Sequence, residues 1–147
     1  MSFFNSIDIA GSGLTATRLR MDTISENVAN AETTRTEQGG AYRRKAVVYQ
    51  ALDGSSFKSK LYQKLGYDEN ETAGVKVVEI VEDQSDMNYV YDPTHPDADE
   101  DGYVEMSNVN PTQEVLDMMA AKRAYQINLS AIDAMKQMGN KALEIGS

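Results

Sequence analysis

Apolar and small residues recur along the first part of the chain at Ile7, Ala10, Leu14, Thr17, Met21, Ile24 and Val28, in steps alternating between three and four. Positions repeating every 3.5 residues stay on one face only if the helix wraps along a partner, so the spacing predicts an extended helix packed lengthwise. Polar residues take over across 30–40, and the helix is expected to end there. The far end repeats the pattern. Asn110-Pro111-Thr112 supplies a capping side chain with proline just inside, followed by Gln113 and Glu114, which predicts a helix start. Beyond it Met118, Ala121, Tyr125, Asn128, Ile132, Met135, Gly139 and Ala142 form one seam, and Leu116, Ala120, Ile127, Ala131, Ala134, Met138 and Ile145 form a second row. One partner helix cannot cover both rows, so this helix is expected to touch at least two others.

Between the helices, 42–52 and 75–81 are rich in valine, tyrosine and isoleucine and predict strands. The stretch 53–74 is mostly polar with glycines at its ends, and predicts a loop with room for one short strand. Two prolines and a dense acid cluster keep 92–102 from being helix or central strand. The expected class is therefore α+β: long N- and C-terminal helices paired as a coiled coil, with a small β-rich middle module. Residues 1–36 and 106–147 would form one discontinuous coiled-coil domain, and 37–105 the middle module.

Charge sharpens that division. The 147 residues carry a net charge of −9. It divides into −1 over 1–36, −8 over 37–105 and zero over 106–147. The ends can approach one another or identical chains without large repulsion, while the middle carries the solvating charge. The sign argues against nucleic-acid binding. No apolar run approaches the length of a membrane-spanning helix, so no membrane insertion is expected. Asp8 stands where a signal peptide needs an apolar stretch, and no basic segment precedes it, so no cleaved export signal is expected. The absence of cysteine removes disulfides, thiolate catalysis and cysteine-rich zinc sites.

Ala10, Thr17, Asn128 and Gly139 dilute the seams, and Gly11 and Gly13 either break the first helix or mark a close approach. Such seams look too thin to hold the pair firmly alone. In the isolated monomer both ends are expected to be mobile and to become helical on assembly. The seam residues Ile7, Leu14, Met21, Ile24, Val28, Met118, Tyr125, Ile132 and Met135 are the candidate packing and assembly positions.

Few side chains offer chemistry. Asp97-Ala-Asp99-Glu-Asp101-Gly102 matches the opening of a calcium loop, with oxygens at positions one, three and five and glycine at six. Position twelve is Asn108 instead of a bidentate glutamate, and Pro93 and Pro96 bar an entering helix. A calcium-responsive binding module is the alternative reading, with Asp97, Asp99 and Asp101 as ligands. His95 is the only histidine and lacks the companions of a zinc or hydrolase site. Two of the three residues Arg43, Arg44 and Lys45 are expected to project from one strand face and meet carboxylates of a neighbouring chain. No spacing singles out an acid and base pair, so no enzyme activity and no cofactor is expected.

Three stretches together carry a resemblance. Asn27-Val-Ala29-Asn30-Ala-Glu-Thr33, running on to Lys45, is one; Asp92-Pro93-Thr-His95-Pro96 through Gly102-Tyr103 is another; Asn108-Val-Asn110-Pro111, leading into a helix with Arg123-Ala-Tyr125, is the third. In these segments the chain resembles the flagellar rod and hook axial protein family over nearly its whole length. Arg35 stands where many members have glycine. The resemblance implies a structural subunit of the basal-body rod, crossing the periplasm and transmitting torque from motor to hook, exported through the flagellum's own type III apparatus. It also implies paired terminal helices lining an axial channel. Partners would be the chain's own copies, other flagellar rod proteins, and the export gate with its rod-adaptor protein.

Overall fold

A computed structural model describes residues 3–52, 61, 64, 65 and 74–145. In order come α1 (Phe3–Ala29), β1 (Lys45–Ala51), β2 (Val75–Glu82), β3 (Asn88–Tyr91), β4 (Tyr103–Met106) and α2 (Pro111–Ile145). The class is α+β, with two long terminal helices and a small β region of two two-stranded sheets, β1–β2 and β3–β4. The loop expected over 53–74 falls almost wholly outside the described residues. No described helix is long and apolar enough to cross a membrane.

The chain forms two compact units, each drawing on the N-terminal, middle and C-terminal parts of the sequence. The first comprises Met1–Arg18, Tyr49–Val78 and Arg123–Ser147. Here α1 buries Ala10 and Ala16 and half-buries Ile7, Leu14 and Thr17, while α2 half-buries Tyr125, Asn128, Ile132, Met135 and Gly139. Helix α1 runs unbroken through Gly11 and Gly13. A Cβ on Gly13 would lie 3.0 Å from Asn128 Nδ2, so the missing side chain makes room for an amide of the partner helix. Ser12 Oγ donates to Ile9 O (2.7 Å) and accepts from Val75 N (3.1 Å), pinning the start of β2 on α1. Ile7, Ile132, Gly139 and Leu143 line an open apolar groove of about 790 Å³.

The second unit comprises Leu19–Val48 and Glu79–Lys122. Its core holds Ile24, Ala41, Tyr42, Val104, Val109 and Ala121 together with the polar Thr23, Asn27, Ser107 and Glu114. Strands β3 and β4 pair antiparallel, Asn88 with Met106, Tyr89 with Glu105, Val90 with Val104 and Tyr91 with Tyr103. The sequence pattern did not predict them, because four residues are too few to show a period of two. The proline and acid stretch between them is the expected turn. Among the described residues no buried side-chain nitrogen or oxygen lacks a hydrogen-bond partner.

Candidate functional site

The densest polar constellation lies in the second unit, where the last turn of α1, the start of β1 and the first turn of α2 meet. Thr33 Oγ1 donates to Asn30 Oδ1, Asn30 Nδ2 donates to Glu26 O, and Tyr42 N donates to Thr33 O, so the chain leaves α1 through a defined turn. That turn brings Tyr42 and Lys45 back onto Asn27, which is 1% exposed. The Asn27 amide is saturated. Nδ2 donates to Lys45 O (2.9 Å) and Glu114 Oε2 (3.1 Å), while Oδ1 accepts from Lys45 N (2.9 Å) and Tyr42 OH (3.0 Å). Only a carboxamide of this length offers two donors and two acceptors here.

Glu114 arrives through the cap expected from the sequence. Asn110 Oδ1 accepts from Thr112 N (3.1 Å) and Gln113 N (3.3 Å), with Pro111 as the first helical residue. One turn on, Glu114 is fully buried, and its Oε1 accepts from Arg44 Nε (2.6 Å). The position at a helix N-terminus adds the favourable field of the unsatisfied amides. Arg44 also lies 3.9 Å from Asp83 and 3.8 Å from Asp117, and Asp117 in turn faces Arg20 at 3.4 Å. Arg44 N donates to Asn108 Oδ1 (2.8 Å), and Asn108 Nδ2 donates to Ser85 Oγ (2.9 Å) and Asp83 O (3.2 Å).

Two members of the basic cluster, Arg44 and Lys45, have carboxylate partners within the chain itself. Lys45 pairs with Glu26 at 2.5 Å and lies 5.5 Å above the Tyr42 ring, while Arg43 reaches Asp83 O and Ser85 O. Burial, with the negative charges of Glu26, Glu114 and Glu82 around it, pushes the Tyr42 phenol up to about 12. Hydrogen bonds from Ser85, and then Arg44 and Arg43, hold the Asp83 carboxyl below the usual range.

Side chains of the acidic turn brace its own backbone. Asp92 Oδ1 accepts from Thr94 N and Oγ1, and Asp99 Oδ1 accepts from Asp101 N (3.0 Å) and Tyr103 N (2.7 Å). His95 Nδ1 accepts from Asp97 N (3.1 Å), and the Asp97 carboxylate accepts from Thr34 Oγ1 (2.8 Å). Gly102 closes the turn at φ +85°, where a Cβ would meet the Tyr91 ring at 3.0 Å. No group of three acidic or histidine side chains among the described residues could hold a metal ion. The calcium reading of Asp97, Asp99 and Asp101 is unsupported, because these carboxylates do not converge into such a group.

The structure distributes the remaining candidate residues unevenly. Met21 and Met118 are half-buried in the second unit and Ile24 is buried, whereas Val28 is 40% exposed because Asn27 takes the inward position beside it. Ala29 is exposed at the end of α1. On α2, Leu116, Ile127 and Met138 of the second row are all more than half exposed. Sequence reading missed Glu114 and Arg44 as a pair, since 70 residues separate them and no local pattern links them.

A family model described as "Flagella basal body rod protein" matches residues 7–35, and one described as "Flagellar basal body rod FlgEFG protein C-terminal" matches residues 100–145. The flagellar basal-body rod protein FlgC of Bacillus subtilis (strain 168) is 47% identical, with 99% of each chain covered. FlgC of Borreliella burgdorferi is 41% identical over 99% of this chain and 98% of its own, and FlgC of Escherichia coli O6:H1 is 37% identical over 99% of each. Asn27 of the buried junction, and Asn108, Asn110 and Pro111 beside it, fall in the segments that carried the resemblance, and with near-complete coverage at such identity the chain belongs to the FlgC family of flagellar basal-body rod proteins.

Proposed function

We propose that this chain is a non-enzymatic structural subunit of the bacterial flagellar basal-body rod, assembling with its own copies and other rod proteins and passing torque through packed helices. The observation that carries the reading is the second apolar row of α2, where Leu116, Ile127 and Met138 stand 55%, 63% and 62% exposed on a helix of 35 residues. Soluble chains rarely leave so long a stripe open unless something covers it. The buried Asn27–Glu114–Arg44 junction supports the mechanical part, since fastening α1, β1 and α2 to one another lets a load on one element reach the others. Passage through the flagellum's own export apparatus without a cleaved signal, and contacts with the export gate and rod adaptor, belong to the same proposal.

The test replaces the outer row in a flagellated host lacking its own copy. Ile127→Asp with Met138→Asp is expected to abolish swimming and rod assembly while the purified chain keeps its helix content by circular dichroism. Normal rods built from that variant would overturn the reading.

A further inference from the structure

The β3–β4 hairpin carries a surface that neither the helix rows nor the junction uses. Residues directly opposite in an antiparallel pair share a face, and side chains two apart on one strand do as well. The register therefore puts Tyr89, Tyr91, Tyr103 and Glu105 on one side. The three tyrosines are 65%, 63% and 46% exposed. Tyr91 and Tyr103 meet edge to face, 5.3 Å between centroids and 66° between planes, and Tyr89 OH donates to Glu105 Oε1 (3.4 Å). The rings are held in place before any partner arrives, and a tyrosine has few torsions to lose on binding.

Charge identifies the occupant. From Asn88 to Met106 the hairpin has six carboxylates, Asp92, Asp97, Asp99, Glu100, Asp101 and Glu105, and no lysine or arginine. Exposed aromatic faces on a hairpin with a surplus of acids attract a cation twice, through the ring quadrupole and through the field of the acids. An identical copy meeting it middle to middle would bring a region of net charge −8 against it, and its ends, at −1 and zero, offer no net positive charge, so a chain of opposite sign is the better complement. We propose that the tyrosine face of the β3–β4 hairpin is a docking surface for a lysine- or arginine-bearing segment of a different protein. The surface is independent of the α2 row, so the inference stands or falls apart from the rod-subunit reading.

The test uses the full chain and a labelled nine-residue peptide of alternating arginine and serine, titrated at about 150 mM salt so that long-range attraction is screened. Saturable binding is expected. Tyr89→Ser/Tyr91→Ser should weaken it by about tenfold with no change in charge, Tyr89→Ser alone by about threefold, and Tyr89→Phe/Tyr91→Phe, which keeps the rings, should bind as the parent does. Because Tyr91 packs on the Gly102 turn, the Tyr89→Ser and Phe variants keep the test valid should the double serine variant disturb the hairpin. Equal binding by the parent and Tyr89→Ser, or no saturable binding at all, would overturn the proposal. So would a tyrosine-dependent dimer of the chain alone in sedimentation, which would give the face to a second copy, or tyrosine-dependent binding of chitotetraose in place of the peptide.

Discussion

Glu114 Oε1 accepts a 2.6 Å hydrogen bond from Arg44 Nε at a carboxylate with no solvent exposure, one turn into α2. Removing one partner of a buried ion pair strands the other, whereas replacing both with apolar groups of similar volume is often neutral. Arg44→Ala is therefore expected to cost about 3 kcal/mol in urea denaturation. Glu114→Gln, which keeps shape and loses charge, should cost about 1–2 kcal/mol. The double variant Arg44→Met/Glu114→Leu should recover most of the loss, and equal destabilisation by single and double variants would show that the pair is not the source.

Tyr42 makes the junction sensitive to alkali. Its phenol is pushed up to about 12 by burial and by three neighbouring carboxylates, against about 10 when unfolded. A group whose folded value is raised lends stability that is complete below the unfolded value and is lost as pH climbs through the folded one. About 3 kcal/mol should accordingly disappear between pH 10 and 12. Tyr42→Phe should start about 1 kcal/mol lower, since Asn27 Oδ1 still accepts from Lys45 N, and should show a flatter alkaline limb. Denaturation midpoints measured across that range distinguish the two.

The two helices and the Asn110 cap were legible because apolar periodicity and capping chemistry are local. The inward side of α1 near its end was not, because Thr23 and Asn27 are polar and buried, and a seam drawn on hydrophobicity ran on to Val28 instead. Asn27 is legible in the sequence only as part of a family motif, and its four hydrogen bonds depend on Tyr42, Lys45 and Glu114 arriving from elsewhere. The in-chain partners of Arg44 and Lys45 are hidden from the sequence for the same reason: their carboxylates lie 70 and 19 residues away, beyond any spacing rule.

Gly74 tests the seating of β2 on α1. Its φ is +99°, and a Cβ there would come within 2.2 Å of Ser12 Oγ and 3.4 Å of Ile9 Cα. Gly74→Ala combines a left-handed backbone penalty of about 1–2 kcal/mol with a contact that Ser12 can relieve only by giving up its bonds to Ile9 O and Val75 N. Thermal unfolding should shift down by several degrees. Gly11→Ala, with nothing within 4 Å of the new Cβ, should instead stabilise the helix by about 0.5–1 kcal/mol.

Leu14 and Ile132 separate packing inside one copy from packing between copies. Both are half-buried, Leu14 on α1 and Ile132 on α2, whereas Leu116 and Ile127 stand open on α2. A charge at Leu14 or Ile132 has to be desolvated within the chain, so Leu14→Asp and Ile132→Asp should lower the helix content of the monomer and also block assembly. Leu116→Asp and Ile127→Asp should leave the monomer's helices intact and block assembly alone. Amide exchange on a verified monomer adds the decisive contrast. If the thin seams need neighbouring copies to hold the terminal helices firm, amides of α1 and α2 away from the Asn27–Glu114 junction exchange quickly in the monomer and slowly in the polymer, while those at the junction stay protected in both. Strong protection along both helices in the lone chain would mean that the seams suffice by themselves, leaving the open row of α2 as the element that demands a partner.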